Sequence, residues 1–483
     1  MLNYLFTKTP LSFFVDNLWR DEAFSFVMAS KPPIEIIQST ASDFNPPLYY
    51  LLLKIWMLFF GSSEIALRSL SLVFFILTIY VIYLIMREIL KISRINSFFY
   101  LVLFVFSPAL NFYAFESRMY MMAIFLTTLS YYSYFKKKKI LYIIATLLAL
   151  YTHYFTIFII FSQFLTTNFH ILFNFIKSRR KVNLLQQINL KRNLQYIIVL
   201  SMFFPWLVYL LVQHNFFSSS TFWVVKPLPY DLIMLPFVSF TGYERVFGQY
   251  YHQAAGYINY HEALNMILLG LTAGISLLFI FTNFLQKGKF KTHASTQVAP
   301  VIFTWLCITP VILFIISLFA TPIYHPRYFI IVSPAITLII VIGLENLLFF
   351  INKGFLIFKI NFKIAKFLVP FILILAFCTL FKDFFYSNLR YRSKTDVAPM
   401  YFEIAKLAKS EDYIYLNSEL DFYLAKYYAP QIGLKIYGKT YESVPNYTGK
   451  VFMKEEDFTF VRPNYPSRAF LVSGKEYLIV SEM

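Results

Sequence analysis

The sequence predicts an all-α polytopic membrane protein of about 10–11 spanning helices, carrying a small α/β domain at its C-terminus. Three observations predict it. Of 483 residues, 58% are hydrophobic and only 14% charged, whereas soluble domains carry about 25% charged residues. Apolar stretches long enough to cross a bilayer recur along the chain, separated by short basic loops. From residue 386 the composition changes: apolar runs shorten, charge rises, and Pro, Asn and Gly enter.

Taken in order, residues 1–15 are apolar but broken by Pro10, and too short for a span, which needs about 20 residues. They lack the charged start and small-residue cleavage site of a signal peptide. Residues 18–50, LWRDEAFSFVMASKPPIEIIQSTASDFNPPLYY, hold two acidic clusters and two Pro-Pro pairs. Proline has no amide proton and is tolerated only in a first helical turn, so these pairs start or end short helices. The stretch predicts a structured loop on a membrane face, followed by an interfacial helix at 46–60. Spans are predicted at 64–90, 96–113, 118–135, 140–152, 153–175, 194–214, 263–285, 299–319, 328–350 and 367–385. In the last hundred residues the pattern predicts helices at 400–409 and 419–428, and strands at 413–416, 469–472 and 476–480. Three regions result: an N-terminal stub with the acidic loop, 1–63; a transmembrane domain, 64–385; and the α/β domain, 386–483.

Charge gives the orientation. The formal net charge of +18 would suit nucleic acid, but the basic residues gather in alternate loops. Lys91, Arg94, Lys136 to Lys139, Arg179, Arg180, Lys191, Arg192, Lys287, Lys289, Lys291, Lys353, Lys359, Lys363 and Lys366 all fall in one set. That set is cytoplasmic by the positive-inside rule. The acidic loop, Glu116-Ser117-Arg118, the turn at His153, the segment 215–262 and Tyr324-His325-Pro326-Arg327 fall in the other set, on the extracytoplasmic face of the plasma membrane. An even number of spans with an outer C-terminus puts the N-terminus outside as well, which predicts a further helix ahead of this chain. Cys307 and Cys378 lie in separate apolar runs and read as buried, inert thiols.

The residues that could carry chemistry each have a bland reading beside the functional one. Asp21 and Glu22 suit capping of the helix that follows them; with a second acidic turn at Asp43 and outer cations opposite, they equally suit deprotonation of a hydroxyl or capture of a cation. Arg118 could snorkel to headgroups or grip phosphate oxygens. His153 divides two apolar runs and reads as a packing residue or a ligand. Tyr324-His325-Pro326-Arg327 presents a histidine and an arginine at a helix entrance, a pair of donors for an anionic lipid phosphate. Arg68 is expected to pair with Glu64 at i,i+4. Walker loops, GxGxxG, GxSxG and metal-type Cys/His spacings are absent.

Six short motifs in register resemble a type C (GT-C) glycosyltransferase of the family 39 kind, the group of protein O-mannosyltransferases, aminoarabinose transferases and Rgt-type lipopolysaccharide glycosyltransferases. They are WRDEAFS at 19–25, DFNPPLYYLLLKIW at 43–56, ALRSLS at 66–71, ESRMYMM at 116–122, THYF at 152–155 and HPRYF at 325–329. The resemblance covers 20–350. It implies transfer of a hexosyl or pentosyl residue from a polyprenyl-phosphate sugar to a cell-envelope lipid, glycan or protein acceptor, with inversion. By the same resemblance Asp21 is the base and Glu22 supports it or contacts the acceptor. Arg118, Tyr324, His325 and Arg327 would bind the donor phosphate, and Asp43, Asn45, Pro46 and His153 would line the pocket. No cofactor and no nucleic-acid partner are implied; membrane lipid is the expected partner. Glu22, Asp43 and His325 could gather a divalent cation, but no metal site is predicted. A transporter would show two matching halves with interrupted helices, and neither is seen; a non-catalytic envelope scaffold is the other alternative.

Overall fold

The structure, a computed structural model, describes residues 9, 11–177, 190–213, 223–235, 238–239, 295–352 and 396–482. The predicted spans at 263–285 and 367–385, and Cys378, lie outside the described residues. The acidic stretch forms three short helices, as its proline pairs require. After α1 (Ser12–Val15), α2 (Arg20–Ser30) carries Asp21 and Glu22 in its first turn. Helix α3 (Pro33–Ser42) starts on Pro33, and α4 (Leu48–Phe60) follows Pro46-Pro47. The far end of α4 bares Leu58 and Phe59, 76% and 77% exposed. An apolar helix end of this kind suits the interfacial position that the sequence predicts.

Helix α5 (Glu64–Leu84) runs on through a π-helical turn to Ile89, and its N-cap Ser63 accepts the Ala66 amide. The stretch predicted as one span at 96–113 is two helices, α6 (Arg94–Val105) and α7 (Pro108–Ala114). The break falls at Ser107, whose backbone is extended because the Pro108 ring excludes the α region for the residue before it. Helices α8 (Tyr120–Phe135), α9 (Lys139–Leu150), α10 (Ile157–Lys177), α11 (Leu190–Gln213) and α13 (Ser295–Phe319) follow their predicted spans, with the small α12 (Pro229–Ile233) between the last two. The span predicted at 328–350 has a more complex entrance. It opens with α14 (Pro326–Phe329), passes through a 3₁₀ turn and continues as α15 (Ser333–Asn352).

Among the described residues, four helical stretches, Glu64–Ile89, Leu190–Gln213, Val298–Phe319 and Pro326–Asn346, are long and apolar enough to cross a membrane. The chain is built to lie in one. Several polar side chains between α8, α9, α10 and α11 bond to each other. Tyr142 donates to Gln163 at 2.7 Å, Gln163 donates to Ser130 at 3.1 Å, and Asn168 and Asn193 exchange side-chain bonds at 2.9 and 3.2 Å. Bonds of this kind hold helices together where there is no water to compete. Cys307 is a free, partly buried thiol.

Residues 396–482 form the α/β unit. The strands expected at its beginning and end are present as β1 (Tyr413–Leu416), β4 (Ala469–Ser473) and β5 (Glu476–Val480). Two strands that were not expected, β2 (Gly433–Tyr437) and the two-residue β3 (Phe458–Thr459), complete a sheet of order β3-β2-β1-β4-β5. All pairings are parallel except the β4–β5 hairpin. Ile414, Leu416, Ile436, Phe470 and Val472 make one buried face with α16 (Ala398–Leu407) and α17 (Phe422–Tyr428).

This unit docks directly on α2. Arg20 pairs with Asp421 at 2.8 Å, and the Tyr428 hydroxyl accepts the Leu18 amide at 2.8 Å while donating to Glu64 at 3.2 Å. Tyr427 donates to the Ser62 carbonyl at 2.8 Å, and its ring meets Phe26 edge-on. The segment before the acidic helix is therefore held from outside the membrane domain. Tyr428→Phe strands the buried Leu18 N–H, which should cost about 1–3 kcal/mol. Thermal unfolding of the variant in detergent should show the lowered midpoint.

Candidate active site

The site is organised by a buried ion pair. Glu22 and Arg68 are both 0% exposed. Arg68 grips the carboxylate with two parallel bonds, Nε to Oε1 and Nη2 to Oε2, each 2.8 Å. The remaining capacity of Glu22 is filled by backbone: Oε2 accepts the Trp19 amide at 2.8 Å, and Oε1 accepts the Ser117 amide at 3.0 Å. The rest of the guanidinium donates to the carbonyls of Phe14, Asp16 and Asn17. The expected Arg68–Glu64 pair is not formed. Glu64 instead accepts from Tyr428 at the mouth of α5, while the packing of α2 on α5 buries Glu22 together with Arg68 and leaves each the other's counter-charge. Glu22 has no oxygen left for an acceptor or a cation.

Asp21, one residue earlier, faces the other way. Its side chain is 32% exposed, and Oδ2 accepts from Arg327 Nη1 at 2.8 Å. Among the described residues Oδ1 accepts no hydrogen bond. Arg118 comes from the start of α8, beside the Ser117 amide that Glu22 holds. It is buried, and its Nη1 makes three long contacts of 3.3 Å, to the Asp21 carbonyl, Ser25 Oγ and the Tyr50 hydroxyl. Its Nε has no hydrogen-bond partner among the described residues, and its guanidinium lies 5.8 Å from the Phe24 ring centroid. Tyr120 is within electrostatic reach of Asp21, Arg118 and Arg327 together.

The second acidic turn closes in on the same place. Asp43 caps the end of α3, and its Oδ2 accepts from the Asn45 amide at 2.5 Å. The Asn45 backbone N–H bonds Thr40 O at 2.8 Å, Pro46 is buried, and Leu48 N–H reaches the Tyr151 carbonyl at 3.1 Å. That bond seats the turn against the α9–α10 turn, next to His153. Between them Phe44 sits at φ +54°, in the left-handed region that a bulky residue rarely enters. Burial pushes the Asp43 carboxyl up to about 7; the Asn45 hydrogen bond and the Arg118 charge oppose this, and the Asp21 charge adds to it.

His153 is buried among Tyr120, Phe155 and Tyr328, and its Nδ1 has no partner among the described residues. Burial, aided by the Arg118 charge, pushes it down to about 4, so the ring is neutral at physiological pH. His325 accepts the Arg327 amide on Nδ1 at 3.3 Å and packs against Trp223 and Tyr328. The Tyr328 ring thus lies between the two histidines. Tyr324 does not join them: it is buried against Phe314 and Phe329 and donates to the Asp231 carbonyl at 3.2 Å. Among the described residues no three His, Cys, Asp or Glu side chains are close enough together to hold a metal ion; Glu22 is occupied by Arg68.

No family model and no curated protein sequence matches this chain. Solved structures do. Apo ArnT from Cupriavidus metallidurans superposes with a TM-score of 0.55 at 13% identity, over 97% of this chain and 92% of that one. The same protein bound to undecaprenyl phosphate gives 0.53 at 12% identity, over 97% and 93%. The fold is the GT-C fold of ArnT. At this identity the likeness fixes the fold alone, so the roles of the site residues rest on geometry.

Within this GT-C fold, several residues of the site escaped the sequence reading. Phe24, Tyr50, Tyr120, Trp223 and Tyr328 are aromatic residues in a chain that is 21% aromatic, so their type carried no signal. Arg68 was singled out with the wrong partner; a lone arginine inside an apolar span implies a buried one, and Glu22 is that partner.

Two outcomes follow. Arg68→Ala leaves the Glu22 carboxylate buried and unpaired, which costs about 3–5 kcal/mol; thermal unfolding should show a large loss of stability. For Asp43, a folded-state value near 7 above the ordinary 3.8 means the native state holds a proton that the unfolded chain releases. Its contribution to stability is fully present below about 3.8 and is lost as pH rises through 7. Between pH 5.5 and 7.5 the wild type should therefore lose more unfolding temperature than Asp43→Asn does.

Proposed function

We propose that this protein is an integral membrane glycosyltransferase. It would transfer a sugar from a polyprenyl-phosphate carrier to an acceptor hydroxyl on the extracytoplasmic face, with Asp21 as the general base. The observation that carries the reading is the contrast between the two adjacent carboxylates. Glu22 is buried and saturated, while Asp21 is partly exposed, with one oxygen held by an arginine and a second, buried arginine 3.3 Å from its carbonyl. That is an accessible base beside two guanidinium groups, suited to a reaction that leaves a phosphate behind. The bound undecaprenyl phosphate in the ArnT structure is consistent with a lipid phosphate as the natural ligand of such a pocket.

In the proposed reaction the acceptor oxygen attacks the anomeric carbon, and the bond from that carbon to the phosphate oxygen breaks. The hydroxyl proton passes to Asp21, and the lipid phosphate leaves with the bonding electrons. Fixed cationic donors stabilise that departing charge, because they need no reorganisation as it develops. Arg118 suits this role, since no carboxylate neutralises it directly among the described residues. Arg327 has a second duty in this scheme. Paired with Asp21 it occupies one oxygen of the base; an arriving phosphate would compete for it and free the carboxylate as the donor seats. Glu22 then acts only through position, holding α2, α5 and the Ser117–Arg118 turn in register. Asp43, His153 and His325 would line the pocket, and no metal is assigned to the reaction.

The orientation rests on the basic loops, which argue for a cytoplasmic side opposite the acidic turns.

Purified protein in liposomes, given a panel of radiolabelled undecaprenyl-phosphate sugars and membrane-lipid acceptors, tests the reading. Asp21→Asn should lower transfer by about 10²-fold or more, the range for loss of a positioned base, with the unfolding temperature nearly unchanged. Equal transfer by wild type and variant would overturn Asp21 as base, and no transfer by either to any acceptor would overturn the enzyme reading.

A further inference from the structure

Phe24 links the α/β unit to the buried arginine of the site. It lies on α2, three residues beyond Asp21, and is 6% exposed. One neighbour is the Arg118 guanidinium, 5.8 Å from the ring centroid. The others are Tyr50 at 6.2 Å, Tyr423 at 5.1 Å edge-on, and Phe452 at 6.1 Å. Tyr423 and Phe452 belong to the α/β unit, and the Tyr423 hydroxyl donates to the Gly449 carbonyl. Gly449 stands at φ +80°, where only glycine is at ease, and a Cβ there would come within 2.9 Å of the Phe24 ring. The wall that the α/β unit presents to Phe24 is therefore close-fitting and has no slack for a methyl group.

Arg118 has little else to fix its aim. Among the described residues its hydrogen bonds are all 3.3 Å long, its Nε has none, and no carboxylate lies within ion-pair distance. A cation over an aromatic ring is attracted by the ring quadrupole, the more strongly when desolvated. A guanidinium held by weak polar contacts takes its orientation largely from such a ring.

We propose that the α/β unit is a working part of the anion site, in which Tyr423, Gly449 and Phe452 seat Phe24 and, through it, orient Arg118 towards the donor phosphate. These four are positioning residues; Arg118 is the group that touches the ligand. The inference rests on the reading of Arg118 as a phosphate-binding residue. It goes beyond that reading by giving the outer unit a share in donor affinity, apart from any role in choosing the acceptor.

The test is a double-mutant cycle read out as binding of undecaprenyl phosphate, without sugar, to the full chain in nanodiscs. Gly449→Ala and, separately, Phe24→Leu should each raise Kd by about 3- to 30-fold, the range that a desolvated cation–π contact spans. Arg118→Ala should raise it further. In the Arg118→Ala background neither substitution should weaken binding again, although any change in unfolding temperature persists. Tyr477→Phe, on the edge strand β5 where its hydroxyl bonds Glu403 of α16, should leave Kd unchanged. If Gly449→Ala and Phe24→Leu weaken binding equally in both backgrounds, or leave wild-type binding untouched, the positioning role is overturned. If Arg118→Ala itself leaves Kd unchanged, it is the reading of Arg118 that fails.

Discussion

Glu22 and Arg68 lie 46 residues apart in sequence, and both are stripped of water. Burying two charges costs several kcal/mol each, and their attraction repays this only when the geometry is good and every remaining donor and acceptor is used. Here they are used: two backbone amides complete the carboxylate, and three carbonyls complete the guanidinium. The consequence is specificity of arrangement more than net stability. Four segments meet at one point: the approach to α2 from residue 14 to 17, the first turn of α2, the outer part of α5, and the Glu116–Arg118 turn. Sliding any of them by one residue would leave a buried charge unmatched.

From that point the rest of the site follows. With Glu22 turned inward, the helical twist turns Asp21 towards Arg327. With the Ser117 amide fixed on Glu22, the next residue, Arg118, enters from the same turn and reaches Ser25 and Tyr50. The Asp43–Asn45 turn is set independently, by its own prolines and by the bond from Leu48 to Tyr151. It brings a second carboxyl, one that burial holds close to neutrality, into the same field of charges. The two clusters of acidic residues are therefore built by different means and converge on one group of charges.

The α/β unit belongs to this arrangement rather than hanging from it. Its helix α17 lies on α2, and the contacts run from an ion pair at Arg20 through Tyr428 at Leu18 to the ring cluster at Phe24. The first turn of α2 is thus clamped between the apolar helices on one side and the α/β unit on the other. A helix of 11 residues is marginal by itself, so its fixed position comes from these two neighbours.

Much of this was legible in the sequence. Long apolar stretches, proline pairs and the late change in composition are local signals, so most of the helices among the described residues, the short helices of the acidic stretch and three of the five strands could be read directly, while the span expected at 96–113 is broken at Ser107. Asp21, Asp43, Arg118, His153, His325 and Arg327 could be picked out because charge is scarce in such a chain and therefore conspicuous. What a single sequence could not say is which charge meets which. Glu64 is the nearer acid to Arg68 and Glu22 the distant one, and only the packing of α2 against α5 chose between them. The same packing sent Glu22 inward and Asp21 outward, although the two are adjacent and chemically alike. It turned Tyr324 away from the histidine and arginine beside it, and brought Tyr423 and Phe452 to Phe24 across some four hundred residues of chain. Patterning by residue type determines where helices form and which surface they bury; long-range pairing of buried charges and rings is decided by desolvation, which exists only once the chain has closed around them.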